Sequence, residues 1–335
     1  MRDKIRKNKY NILLACIVVL IVIYLARLIF IPNSLKENKT VTILQGASTY
    51  KIADVLKEEK IIKSKTIFLI RVNLSGYKGK LKYGKFEFEP GDSYGDIIKK
   101  IATNGAKKET VTVTIPEGYS VEKIILLLEE KGFGTKDEIK NALNDDYNYG
   151  FLKNINPPLE CKYRLQGFLF PSTYEFYKDA TPHEIFDRML LEFEKQYDSL
   201  MVSYDNLFTT ITKASIIERE AKTDADRTKI AGVIENRLKL NMKLQIDATV
   251  VYAISDGLYD VNKVYYSDLE KKSPYNTYVN QGLPVGPIAS PGLESIKAAL
   301  KPEIHEYLYY RTDNSKTDGS HIFTKEFEDH KTAND

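Results

Sequence analysis

Val41-Thr-Ile-Leu-Gln-Gly-Ala-Ser48, followed by Lys51-Ile52, returns further along the chain as Val113-Thr-Ile-Pro-Glu-Gly-Tyr-Ser120, followed by Lys123-Ile124. A looser copy runs from Phe86 through Pro90-Gly91-Asp-Ser93 to Ile97. All three share Gly-x-Ser-x-x-x-Ile. β-Branched residues before a glycine predict a strand and a tight turn; the serine is placed to cap a following helix. The helix is amphipathic, as Ile124, Leu126, Leu127 and Leu128 after Ser120 show. A strand-turn-helix unit used repeatedly sets the fold class as α+β. Gly91-Asp-Ser-Tyr-Gly95 also matches the G-x-S-x-G elbow of serine hydrolases. Helix capping explains Ser48, Ser93 and Ser120 together, so Ser93 is read as a cap and not as a nucleophile.

Outward toward the N-terminus, a short polar stretch at residues 32–39 reads as a spacer, and an apolar run at residues 10–31 precedes it. Arg2, Lys4, Arg6, Lys7 and Lys9 precede that run. It is long enough to cross a bilayer, which takes about 20 apolar residues. The basic flank at residues 1–9 stays on the cytoplasmic side. The expectation is a single-pass, uncleaved anchor in the cytoplasmic membrane, with everything after Pro32 outside the cytoplasm. Cys16 falls inside the apolar run, which leaves Cys161 as the one thiol beyond it and no intramolecular disulfide. Lys+Arg 49 against Asp+Glu 46, with no basic block past the N-terminus, gives no footprint for nucleic acid.

Toward the C-terminus the pattern is mostly helical from Lys136 to Ser203, broken by Asn156-Pro-Pro158 and by the aromatic stretch Leu165 to Tyr174. Helical periodicity returns in Ala214-Ser-Ile-Ile-Glu-Arg-Glu220 and in Ile230, Val233, Ile234 and Leu238. His183, His305, His321 and His330 fall at no zinc spacing, and phosphate- or dinucleotide-binding glycine patterns are missing. No metal and no cofactor are expected. Carboxylate chemistry remains, and Glu218 and Glu220 are the conspicuous candidates. On a helix they point about 200 degrees apart and cannot face one site as a pair. Periodicity puts Glu218 nearer the apolar face and does not choose between them.

These blocks resemble the MltG/YceG-like endolytic murein transglycosylases. The resemblance runs from the apolar segment to near the C-terminus. It rests most on Val113–Ser120, Gln166-Gly-Phe-Leu-Phe-Pro171 and Ala214–Glu220, and further on Asn236-Arg-Leu238, Leu244-Gln-Ile-Asp-Ala-Thr-Val250, Tyr275-Asn-Thr-Tyr278, Gly282–Gly292 and Gly319-Ser-His-Ile-Phe323. It implies that the second glutamate, Glu220, is the single catalytic acid/base. The reaction would be lytic cleavage of the N-acetylmuramic acid to N-acetylglucosamine β-1,4 bond within a strand, leaving 1,6-anhydro ends. Gln166 departs from the family pattern, in which an acidic residue precedes Gly-Phe/Trp. The partners implied are peptidoglycan glycan strands, the cytoplasmic membrane and cell-wall synthases of elongation or division.

Gln245, Asp247, Thr249, Tyr252, Tyr275, Asn276, Thr277 and Tyr278 carry donors and aromatic faces suited to sugars, so they are candidate substrate contacts. Turn-capping for Asn276 and Thr277, or core packing for Tyr252, accounts for the same residues equally well. His321 suits either a substrate contact or a structural hydrogen bond. The organisation expected is a basic tail (1–9), a transmembrane helix (10–31), a linker (32–39), LysM-like strand-turn-helix modules (40–135), a helical connecting region (136–203) and a catalytic region of lysozyme-like helical character (204–335). Two other functions fit less of the sequence. A hydrolytic muramidase would need a second carboxylate such as Asp247, and a wall-binding scaffold would leave Glu220 incidental.

Overall fold

A computed structural model describes residues 35–103, 110–261 and 263–333. Its chain divides into two compact units, Met1–Lys108 and Glu109–Asp335. Among the described residues no helix is long and apolar enough to cross a membrane. The segment read as a span, residues 10–31, lies outside them.

In the first unit the order is β1 (Lys39–Ile43), α1 (Thr49–Glu58), α2 (Lys65–Leu74), β2 (Gly84–Phe88) and α3 (Tyr94–Thr103). The two strands pair antiparallel with Val41 opposite Phe86. Alternation along them sends Val41, Ile43, Phe86 and Phe88 inward, where they pack with Ile52 and Leu56 of α1, Phe68 and Val72 of α2, and Ile97 and Ile101 of α3. Both glycine turns end in the expected caps. Ser48 accepts from the Lys51 N–H at 3.1 Å. Ser93 accepts from the Asp96 N–H and donates its own hydroxyl to the Asp96 carboxylate at 2.6 Å. Its oxygen is committed to the helix start.

The second unit contains β3 (Thr110–Ile115), α4 (Val121–Glu130), α5 (Lys136–Ala142), a 3-10 turn (Gly150–Asn154), β4 (Ser172–Tyr177) and α6 (Pro182–Asp198). There follow α7 (Leu207–Glu220), α8 (Asp224–Lys239), α9 (Asp247–Ile254), α10 (Tyr266–Leu269), α11 (Leu293–Leu300), β5 (Tyr309–Thr312), β6 (His321–Thr324) and α12 (Phe327–Thr332). The third Gly-x-Ser copy therefore stands apart from the first two. Its strand β3 pairs antiparallel with β4, Val113 opposite Tyr174, and Ser120 caps α4 by accepting from the Lys123 N–H at 3.2 Å.

Phe168 lies fully buried among Phe151, Phe193 and Phe208. Gly167 beside it has φ +90°, and a Cβ there would stand 2.7 Å from Ile211 and 2.8 Å from Pro287. Only glycine fits this crossing of the aromatic stretch, α7 and the Gly282–Gly292 loop. The same loop is pinned twice more. The Gly118 N–H donates to the Ser290 carbonyl and the Ser290 N–H to the Tyr119 carbonyl, and Ser215 on α7 accepts from the Ile288 N–H at 3.0 Å. Helices α8, α9 and α11 pack on α7, and α12 packs on the β5–β6 hairpin.

Candidate active site

Helix α7 ends at Glu220 because Ala221 turns extended, with ψ 129°. Its last turn sends three charged side chains in three directions. Arg219 stacks on the Tyr259 ring, 3.9 Å from guanidinium carbon to centroid, and donates to the Gly118 carbonyl. Glu218 turns to α11, where it accepts from the Gly292 N–H at 3.0 Å and from the Ser295 hydroxyl at 2.7 Å. The Arg227 guanidinium lies 4.0 Å from its other oxygen. Glu218 thus ties the N-terminus of α11 to α7.

Glu220 lines a cleft of about 900 Å³. The walls come from α8 (Arg237), the 244–247 turn (Gln245, Asp247), Tyr278, the hairpin (Tyr309, Tyr310, His321) and α12 (Phe327, His330). The Tyr310 hydroxyl donates to Glu220 Oε2 at 2.9 Å. Burial pushes the Glu220 carboxyl above the ordinary range, and the neighbouring charge of Asp247 pushes the same way. Tyr310, the Ala248 backbone N–H and His321 oppose that shift without outweighing it. Among the described residues Glu117 also has its carboxyl pushed up, by burial and by Glu218, yet it lines no part of this cleft.

His321 is fixed from behind. Its backbone N–H and its Nδ1 both lie 3.0 Å from one oxygen of Asp226 on α8. A carboxylate only accepts, so Nδ1 carries a proton toward Asp226, and Nε2 is the ring nitrogen not tied to it. Its ring meets that of Tyr310 edge-on at 5.4 Å. Arg237 donates to the carbonyls of Leu308 and Leu244 at 2.6 and 2.7 Å, joining the start of the hairpin to the 244–247 turn.

The candidate substrate contacts divide. Gln245, Asp247 and Tyr278 line the cleft with Glu220, and the Tyr278 hydroxyl donates to Asp247 at 2.6 Å. Gln245 is held there in a left-handed backbone, φ +49°. Thr249, Tyr252, Tyr275, Asn276 and Thr277 are buried and do not line it. Their polar groups are used inside the protein. Thr249 and Thr277 share a hydrogen bond at 2.9 Å, and Thr277 accepts from the Ile246 N–H. Asn276 donates to the carbonyls of Leu269 and Lys271. The Tyr275 hydroxyl accepts from the Lys162 N–H, and Tyr252 packs between Tyr259 and Tyr275. These five hold the shape of the loops that present the other three. Gln166 is equally internal: its Oε1 accepts from the Val121 N–H at the start of α4, and its Nε2 has no partner.

Tyr310 and Asp226 stand in none of the blocks read from the sequence, and Arg237 stands in one without a role in the site. The alternation in Tyr307-Leu-Tyr-Tyr310 and in His321-Ile-Phe-Thr324 signals a hairpin, which would have brought Tyr310 and His321 side by side.

Residues 41–335 match the family model described as the YceG-like family. An endolytic murein transglycosylase of Bacillus subtilis strain 168 is 36% identical over 326 residues, covering 89% of this chain and 85% of that protein. A protein of the same name from Streptococcus pneumoniae strain D39 is 28% identical, covering 88% of this chain and 57% of its own length. Among solved structures, that of a yceG-like protein from Listeria monocytogenes superposes with a TM-score of 0.58 at 32% identity, over 89% of this chain and the whole of that one. By sequence and by fold, the chain belongs to the YceG-like family.

Proposed function

We infer that this protein is an endolytic murein transglycosylase and that Glu220 is its acid/base. The observation that carries the reading is a carboxyl with a raised pKa that lines a cleft of about 900 Å³ and takes a hydrogen bond from the Tyr310 hydroxyl. A raised pKa extends toward higher pH the range over which the carboxyl holds its proton. Glu220 gives that proton to the glycosidic oxygen as the bond to C1 of N-acetylmuramic acid breaks. The C6 hydroxyl of the same sugar closes on C1 and returns its proton to Glu220. A 1,6-anhydro end and a free 4-hydroxyl result, with no water consumed and no second protein carboxylate needed. His321 Nε2, Gln245 and Tyr278 are placed to hold hydroxyl and acetamido groups.

Asp247 supports one competing reading, since a hydrolytic muramidase would use a second carboxylate in the cleft. Mass analysis of products from purified glycan strands separates the two. Lytic cleavage yields fragments whose masses sum to the parent, and hydrolysis adds one water per cut. Fragments carrying added water would overturn the lytic assignment.

We further propose that residues 10–31 anchor the chain in the cytoplasmic membrane with residues 33–335 outside. The basic flank before the apolar run supports this. A C-terminal reporter active only in the cytoplasm would refute it. The β1-α1-α2-β2 order of the first unit supports its reading as a LysM-like module acting on wall polymer. Cell-wall synthases are the partners this placement suits.

A further inference from the structure

A second cavity, of about 240 Å³, is lined by Asp247, Val264, Tyr265, Tyr266, Leu269 and Tyr278. Asp247, Tyr266 and Tyr278 also line the Glu220 cleft, so the two spaces share a wall. No residue of the hairpin or of α12 lines the smaller one, which places it away from Tyr310 and His321. The Tyr278–Asp247 hydrogen bond stands at the junction.

Tyr266 marks this junction by an unusual state. It is 91% exposed, and it has no hydrogen bond or ring partner among the described residues. A tyrosine so placed contributes little to the folded core, and leaving its ring in water forgoes the burial that aromatic side chains ordinarily gain. The turn beneath it is nevertheless rigidly tied. The Tyr265 N–H is accepted by the Asp268 carboxylate at 2.8 Å, and Asn276, itself fully buried, clamps the carbonyls of Leu269 and Lys271 at 2.9 and 2.8 Å. An exposed ring on a fixed turn, beside a carboxylate and a tyrosine hydroxyl, suits a pyranose. The C–H face of the sugar covers the ring, and its edge hydroxyls meet the polar groups.

We propose that this cavity is a distal glycan subsite, in which Tyr266 stacks on an N-acetylhexosamine of the strand beyond the pair being cut. The proposal rests on the murein transglycosylase reading and deepens it. An enzyme that cuts within a strand must hold sugars past its cleavage point, and binding there is energy from a remote part of the substrate.

The test uses the full-length chain carrying Glu220→Gln, so that strands bind without being consumed. The probes are purified, uncrosslinked glycan strands and the disaccharide-length fragment. Adding Tyr266→Ala is expected to weaken strand binding about tenfold, with a smaller loss on the disaccharide, and Tyr266→Phe to retain it. Melting temperatures should match throughout, because the side chain is almost wholly exposed. Unchanged strand affinity in Tyr266→Ala overturns the subsite, and so does equal loss on both probes. Cleavage by the unmutated chain is measured in parallel. Tyr266-dependent binding without cleavage leaves the subsite and removes the catalytic reading; cleavage with Tyr266-independent binding does the reverse. Neither binding nor cleavage overturns both.

Discussion

The two sides of the last turn of α7 carry the same residue type and do opposite things with it. On one side the Glu218 side chain is 8% exposed, and its oxygens meet a backbone N–H, a hydroxyl and a guanidinium. On the other, Glu220 has the Tyr310 hydroxyl and the Ala248 N–H to set against burial and the charge of Asp247. Burial is common to both sides. What separates them is the supply of donors and the sign of the nearest charge, so the first glutamate holds two helices together and the second is poised to keep a proton. Glu117 adds a control. Its carboxyl is also pushed up, but it does not line the Glu220 cleft, so a raised pKa alone does not single out the acid.

The largest expected effect inverts or confirms that contrast directly. Glu220→Gln keeps the shape and removes the transferable proton, so release of anhydro-ended fragments should fall by about 10²- to 10⁴-fold. Its folding should not suffer. The folded pKa of Glu220 lies above its unfolded value, so the carboxyl contributes stability at low pH that is lost as pH rises through the unfolded and then the folded pKa. Glutamine has no such loss, and near neutral pH the variant should melt at an equal or higher temperature. Glu218→Gln should behave in the opposite way. Its amide oxygen can keep the bonds from Gly292 and Ser295, but its N–H groups then face the Arg227 guanidinium and the ion pair is lost, for a cost of roughly 1–3 kcal/mol seen in melting, while the folded fraction still cuts strands. If Glu218→Gln abolishes cleavage without unfolding and Glu220→Gln retains more than a tenth, the roles are reversed.

How far these contacts could be read in the sequence depended on their span along the chain. Helix caps are local, so Ser48, Ser93 and Ser120 follow from Gly-x-Ser alone. The position of Glu218 toward the apolar side also follows from periodicity, but the choice of Glu220 came from the family resemblance. The donors that distinguish the two glutamates arrive from far away: Tyr310 lies 90 residues beyond Glu220, and His321 95 beyond Asp226. Polarity in the tail was ambiguous for a different reason. A threonine or asparagine that holds a loop uses the same groups as one that holds a sugar. Only the packing shows that Thr249, Asn276 and Thr277 face inward while Gln245 and Asp247 face the cleft.

Two smaller effects test the balance around Glu220 by moving it in opposite directions. Acid catalysis requires protonated Glu220, so activity is present below its pKa and falls as pH rises through it. Asp247→Asn removes a charge that raises this pKa, and the alkaline limb of the activity profile should move to lower pH. Tyr310→Phe removes a hydrogen bond that lowers it, and the limb should move to higher pH. The rate below both limbs should drop only about two- to tenfold in Tyr310→Phe, the worth of one hydrogen bond. Loss of all activity at every pH in Asp247→Asn, in a protein that still melts normally, would make Asp247 a second catalytic carboxylate and favour hydrolysis. Limbs that move together in both variants would show that the profile reports some group other than Glu220, and the contrast between the two sides of α7 would lose its chemical meaning.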